Sequence, residues 1–308
     1  MIRRIVVGAT ALVLVLLSST VTTVFAQNGE DVDAMVQRAT VLRQQNRRAR
    51  AAEVIEKAAL LAPDRPDVRR LRELLEFEVN GWEAMAGADF KDWNDTRPGW
   101  REGDVSLRRN TPIGAFLIRG AQVERAGRTD EKVELEIYPA FRSGYLALGG
   151  GFAPNATLYP RSTLTAELYK TLPAAFEISG GYRRLNFTDQ SVNVATGSFG
   201  RYMGDFFVGT RVHHFASYGT SVTGIVRRYL SDDGQYVSIY GSTGTVPELI
   251  RESADFDVTS NRSIGANALF IVGSRLVLRL NGSLGREEWP GGRTANFKTG
   301  SIGLGVRF

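Results

Sequence analysis

Ser301-Ile302-Gly303-Leu304-Gly305-Val306-Arg307-Phe308 is the stretch on which the fold turns. Ile302, Leu304, Val306 and Phe308 take every second place, with Ser301, Gly303, Gly305 and Arg307 between them. Successive side chains of a strand point to opposite faces, so one face here is apolar and the other small or charged. The same period runs upstream. Leu276, Leu278, Leu280 and Leu284 alternate with Val277, Arg279, Asn281 and Ser283; Leu164, Ala166 and Leu168 with Thr165, Glu167 and Tyr169; Val133, Leu135 and Ile137 with Glu134, Glu136 and Tyr138.

A water-soluble sandwich alternates as well, with its apolar face turned to a core. Three features favour a lipid-facing version. The chain carries an export signal at its start. Its alternating segments approach the 9–11 residues of a tilted transmembrane strand. An aromatic residue, Phe308, ends the last segment, and it is read as the barrel-assembly signal that the assembly machinery recognises through the C-terminal strand.

Turn chemistry divides the region into fourteen segments, at 81–90, 98–108, 113–125, 131–140, 143–152, 160–170, 175–185, 190–201, 204–214, 219–229, 234–243, 262–272, 275–286 and 297–308. The expected fold class is mainly β, a transmembrane antiparallel up-and-down β-barrel of about fourteen strands. Twelve strands stay open, because the first two segments are poorly patterned. An even count brings both barrel ends to the periplasmic side. Leu172-Pro173, Ser231 to Gly234 and Gly273-Ser274 then read as periplasmic turns, and 91–97, 153–159, 244–261 and 287–296 as outer loops. Fourteen strands tilted by about 40° give a backbone diameter of roughly 28 Å.

The N-terminus reads as a signal peptide over 1–26: cationic Met1-Ile2-Arg3-Arg4, an apolar run from Ile5 to Leu17, and Val24-Phe25-Ala26 before cleavage at Gln27. The alternative is an uncleaved anchor, although the apolar run is shorter than the roughly 20 residues of a spanning helix. Residues 27–80 form a helical periplasmic segment, and 81–308 the outer-membrane barrel. Within the helical segment, Ala39, Leu42, Ala51, Ile55, Ala58 and Pro63 have the spacing of one tetratricopeptide repeat, with Met35 where that motif usually has tryptophan. A plain helical hairpin is the other reading. One repeat cannot bury its own face, so 31–78 is expected to dock on a periplasmic protein partner or on the rest of the chain. Asp64 and Asp67 are candidate caps of the helix that begins at Pro66.

Composition excludes several classes. With no cysteine there are no disulfides, Fe–S clusters or thiol catalysis, and the two histidines, His213 and His214, leave little for a metal. No cofactor is expected. The net charge is only +5 in 308 residues, too small to point to nucleic acid. The 33 glycines exceed the usual share of about 7%, and only Gly8 and Gly29 precede Gly81.

Charge in a barrel wall belongs to the lumen, since Arg or Lys facing lipid at mid-depth costs about 2–4 kcal/mol. The alternation therefore makes Glu134, Glu136, Glu167, Tyr169, Glu177, Arg183, Arg211 and Arg279 the lumen-lining candidates. They form either an ion-pair ladder that fills the interior or a path for a polar solute such as carbohydrate, with Tyr138 and Tyr169 as stacking faces. Tyr182, Tyr202, Phe206 and Phe308 are assigned to the aromatic girdles that contact lipid and lipopolysaccharide headgroups. His213 is expected inward and His214 outward, with Ser217 in the following loop, an arrangement unlike a nucleophile–base pair. The protein is expected not to be an enzyme: passage or export of a polar solute such as surface polysaccharide is the first reading, a closed structural or surface-interaction barrel without a pore the alternative, and an outer-membrane lipid hydrolase the third.

Tyr159-Pro160-Arg161, Glu167-Leu168-Tyr169, Leu172-Pro173 and Gly180-Gly181-Tyr182-Arg183 together resemble the YaiO family of outer-membrane barrels. The likeness continues through Gly197-Ser198, Tyr202-Met203-Gly204, Arg211 and Arg227-Arg228-Tyr229-Leu230, and covers about 82–308. It implies an outer-membrane barrel with no established enzymatic activity. The helical segment ahead of it is similar in layout to repeat-plus-barrel exporters of exopolysaccharides, which carry many repeats where this chain has about one.

Overall fold

Alternation with no interior helix leaves each strand needing two neighbours, and a closed cylinder supplies them without leaving an edge. The structure, a computed structural model, describes residues 32–44, 47–216, 218–231, 234–245, 258–273 and 275–308. The signal-peptide region 1–26 and Ser217, Asp232, Asp233 and Ser274 lie outside the described residues.

Among the described residues, fourteen strands form. They are β1 (Trp82–Trp93), β2 (Trp100–Thr111), β3 (Gly114–Arg125), β4 (Arg128–Phe141), β5 (Gly144–Phe152), β6 (Ser162–Leu172) and β7 (Phe176–Asn186). The second half comprises β8 (Ser191–Met203), β9 (Phe206–Phe215), β10 (Gly219–Tyr229), β11 (Tyr236–Gly244), β12 (Ser260–Val272), β13 (Leu276–Glu288) and β14 (Thr294–Arg307). Each pairs antiparallel with its sequence neighbours, and β14 closes on β1. The fourteen-strand reading holds over twelve. The segments expected at 81–90, 131–140 and 297–308 run longer, and much of the outer loop expected at 287–296 is strand. Ala126 and Gly127 join β3 to β4 with φ of 55° and 72°, the left-handed pair a two-residue hairpin turn needs.

Register carries the alternation around the cylinder. Leu276, Leu278 and Leu280 face Val306, Leu304 and Ile302 on one side, while Arg279 faces Gly303 on the other. At the closure Ala84, Ala86 and Ala88 meet Val306, Leu304 and Ile302. The outward row is uncovered by protein: Leu135 is 56% exposed, Ile264 63% and Leu304 62%. An apolar surface that encircles a molecule is stable against acyl chains and not against water. Outward charges such as Arg184, Arg201 and Arg228 sit within two residues of a strand end. No helix among the described residues is long and apolar enough to cross a membrane; the strands do the crossing.

Three helices precede the barrel, α1 (Val32–Gln44), α2 (Arg48–Leu61) and α3 (Pro66–Asn80). Met35, Ala39, Ala51, Ile55, Ala58, Val68 and Leu75 form their common core. Arg65, not Asp64, occupies the N-cap position of α3, and no side chain caps it. Asp67 instead accepts a 2.6 Å hydrogen bond from Arg65, which holds its carboxyl below the usual range. The C-terminal end of α3 is tied to the barrel rim. Asn110 Nδ2 donates to the Phe77 carbonyl at 3.0 Å, Arg109 bonds the Asn80 carbonyl, and the Arg307 guanidinium lies 4.3 Å over the Phe77 ring. The helices thus sit at the barrel end where β1 begins and β14 stops, called the terminal end below. The opposite end is the loop end.

The lumen as candidate functional site

Inward-facing side chains decide what the cylinder can do. All eight sequence-derived candidates point inward. Glu134, Glu136, Glu167, Tyr169, Arg183 and Arg211 line one cavity of about 240 Å³. Tyr169 and Arg211 also line a second, of about 430 Å³, together with Glu177, Arg227, Asn267 and Asn281. Asn267 and Asn281 pass on to a third, of about 280 Å³, which holds Arg279. The cavities therefore share walls around the barrel interior. Small residues open the first one. Gly149 and Gly151 face inward on β5, and a Cβ on Gly151 would fall 2.6 Å from Thr163 Oγ1.

Charges pair along the inner wall. Arg211 bonds Glu167 at 2.5 Å and the Tyr169 hydroxyl, while the Ser179 hydroxyl donates to Glu167 at 2.6 Å. Arg279 pairs with Glu83 at 2.8 Å, and Arg307 reaches the same carboxylate at 2.9 Å. The strongest cluster escaped the sequence reading. Arg119 lies within 2.8 Å of Glu102, 3.2 Å of Asp104 and 2.9 Å of Glu134, with Lys132 3.3 Å from Glu134. Arg119 alternates with Ile118 in the sequence, a usable signal, but its three acids come from two other strands. Glu287 was also missed, because it fell in a segment read as loop. It is fully buried and bonds Lys91 at 2.5 Å and Trp93 Nε1 at 2.7 Å.

The loop end is packed. Asp130, near the tip of the β3–β4 hairpin, accepts backbone N–H bonds from Thr157 at 2.7 Å, from Leu158, and from Tyr159 at 3.1 Å. This folds 153–161, of which 153–159 was expected as an outer loop, back against the wall. Tyr159 is 1% exposed, packed on Trp100 and Val123 beneath Lys132. Leu185, Val192, Val194 and Phe215 bury a second apolar cluster under β7, β8 and β9.

Asp95, between β1 and β2, stands outside the membrane-spanning strands. Hydrogen bonds from Arg97, then the Arg97 amide and Arg293, hold its carboxyl down at about 2. A folded value below the unfolded one, about 3.9, contributes stability above pH 4 that fades as pH falls through 2. Arg97 stacks 3.8 Å over Trp289, so tryptophan fluorescence should change between pH 4 and 2. Asp95→Asn should abolish that change; an unaltered transition in the variant would assign it elsewhere.

Tyr202 requires a correction. Assigned to the outer girdle, it faces the lumen instead, donating to Glu177 at 3.4 Å and packing on Phe207 and Tyr229. The reason is register: Tyr202 lies two residues from Gly200 and four from Ser198, which meets inward Ser179. Tyr182, Phe206 and Phe308 do face outward, 45%, 43% and 64% exposed. His213 faces in and His214 out, its Nδ1 2.9 Å from Thr220 Oγ1. Ser221 lies directly across from His213, yet its buried hydroxyl has no hydrogen-bond partner among the described residues. No cluster of metal-ligating side chains occurs among the described residues.

The YaiO membrane beta barrel domain matches residues 83–249. The chain belongs to this family. It is an outer-membrane β-barrel, and the match covers β1 through β11. No curated protein matches. Similar solved structures include the Acinetobacter baumannii outer membrane protein Omp33, at 11% identity over 75% of this chain and 98% of that one, TM-score 0.44. A bacterial polysaccharide outer membrane secretin aligns at 8% identity over 75% and 99%, TM-score 0.46. The anion-selective porin from Comamonas acidovorans aligns at 7% over 74% and 98%, TM-score 0.41. These likenesses are of barrel shape alone.

Proposed function

We propose that this YaiO-family barrel is non-enzymatic and passes a polar solute, surface polysaccharide in particular, across the outer membrane. The helical segment then lies in the periplasm and docks a protein partner there. The observation that carries this reading is the run of three cavities sharing Tyr169, Arg211, Asn267 and Asn281, walled by charge, amide and hydroxyl. Such a wall replaces the hydration of a polar solute without a deep trap.

The packed loop end favours a second reading, a closed barrel acting at the surface. Conductance in planar bilayers separates the two. The solute path requires current, and Asp130→Ala should raise it, because the variant frees the three amides that hold 153–161 inward. No current at any voltage from either the full chain or Asp130→Ala removes the passage and leaves the closed barrel.

A further inference from the structure

Aromatic residues are not spread evenly over the inner wall. Tyr145 and Tyr169 are direct cross-strand partners on β5 and β6, with ring centroids 4.5 Å apart. Tyr202 partners Phe207 on β8 and β9 at 4.9 Å, and Tyr229 partners Tyr236 on β10 and β11 at 6.3 Å. Tyr138 extends the row from β4, 6.4 Å from Tyr145. Every one of these residues faces inward and lies at the terminal end of its strand. The result is an arc of rings along the inside of one mouth. The Tyr138–Tyr145, Tyr202–Phe207 and Tyr229–Tyr236 pairs are inclined to each other by 58°, 51° and 71°, while Tyr145 and Tyr169 stack within 10°.

Outer-wall aromatics are explained by the lipid interface. This arc is not, because it has no lipid to meet. Nor is it a core. Tyr138, Tyr145 and Tyr169 line the cavity of about 240 Å³, Tyr169 and Phe207 the one of about 430 Å³, and Tyr236 the one of about 280 Å³.

Charge beside the arc is balanced in number, Glu136, Glu167 and Glu177 against Arg183, Arg211 and Arg227. Glu167 pairs with Arg211, while Glu136 and Glu177 accept hydrogen bonds from the Tyr138 and Tyr202 hydroxyls. Arg227 stacks 4.1 Å over Tyr236. Uncharged polar groups fill the rest of this wall: Thr223 with Ser242, Ser238 with Asn267, and Tyr240 with Asn281 are hydrogen-bonded to one another. Aromatic rings receive the apolar C–H face of a pyranose, while amides and hydroxyls take its hydroxyl groups. A balanced wall gives no net attraction to a charged polymer.

We infer that the tyrosine arc is a binding track for a glycan chain of uncharged sugar units, entering from the terminal end. The inference rests on the proposed passage of a polar solute and names the chemistry of that solute. Its test is binding, which does not depend on conduction. The detergent-solubilised full chain is titrated with maltohexaose, cellohexaose and, as the anionic comparison, hexagalacturonate, with tyrosine-fluorescence change and calorimetry as readouts.

At least one neutral hexasaccharide should bind, and more tightly than the anionic one. Tyr145→Ala with Tyr169→Ala should weaken it by about tenfold or more, equivalent to losing about one stacking contact. Tyr145→Phe with Tyr169→Phe should stay within a few fold, since the rings remain. If the alanine pair fails to fold, Tyr229→Ala with Tyr236→Ala on the far side of the arc takes its place with the same expectation. Binding of neither neutral sugar, preference for hexagalacturonate, or alanine variants that bind like the parent would each overturn the track. Conductance without sugar binding sinks the track and spares the passage; sugar binding without any conductance does the reverse.

Discussion

Replacing Arg119 by alanine should destabilise the folded barrel by about 3–5 kcal/mol, the cost of stranding buried charges by removing their partner. The guanidinium is 14% exposed and sits among Glu102, Asp104 and Glu134, whose side chains are 2%, 8% and 9% exposed. Without it, three carboxylates from β2 and β4 face one another in a space where water screens them little, with the Lys132 ammonium 3.3 Å from Glu134. Arg119→Lys should recover part of the loss, since one ammonium cannot span the three acceptors that a planar fork reaches. The measurement is the urea midpoint of the refolded barrel in micelles, followed by its heat-dependent mobility on gels. A loss below about 1 kcal/mol, the scale of an exposed ion pair, would mean that solvent reaches this cluster and that the ladder does not hold the β2–β4 wall.

The second large effect tests which side meets lipid. Leu135 lies mid-strand on β4, opposite Ile118 and Gly150, and points outward. Leu135→Arg should cost about 2–4 kcal/mol in a bilayer, because the charge must be dragged toward the interface. Ala147→Arg, on the inner face beside Glu167 in register, places the same group in a polar cavity and should cost far less. Folding yields into vesicles compare the two. Equal costs, or a lower cost at position 135, would contradict the assignment of faces on which the membrane reading stands.

How much of this was legible in advance differs by level. The fourteen strands, the facing of the eight lumen candidates and the opposite facing of His213 and His214 followed from alternation alone. The first two strands read poorly because β1 turns Ala84, Ala86 and Ala88 to the outside, and β2 offers only Val105 and Leu107 in its centre. Small outward residues satisfy lipid without announcing it. Tyr202 was misplaced because an aromatic near a strand end fits either a girdle or a lumen wall, and only its pairing with Phe207 decides. The inward fold of 153–161 was invisible, since it depends on one carboxylate, Asp130, on another hairpin.

What the sequence by itself determined is therefore the two-residue period: side chains on a strand alternate by local chirality, so the lipid face and the lumen face can be read one strand at a time. What tertiary structure alone decided is which lumen residues meet. Closure brings Glu83 beside Arg307, 224 positions away, Arg211 beside Glu167, and one row of tyrosines to a single mouth. Those meetings are fixed by strand count, register and curvature, quantities that belong to the whole cylinder and to none of its ribbons taken singly.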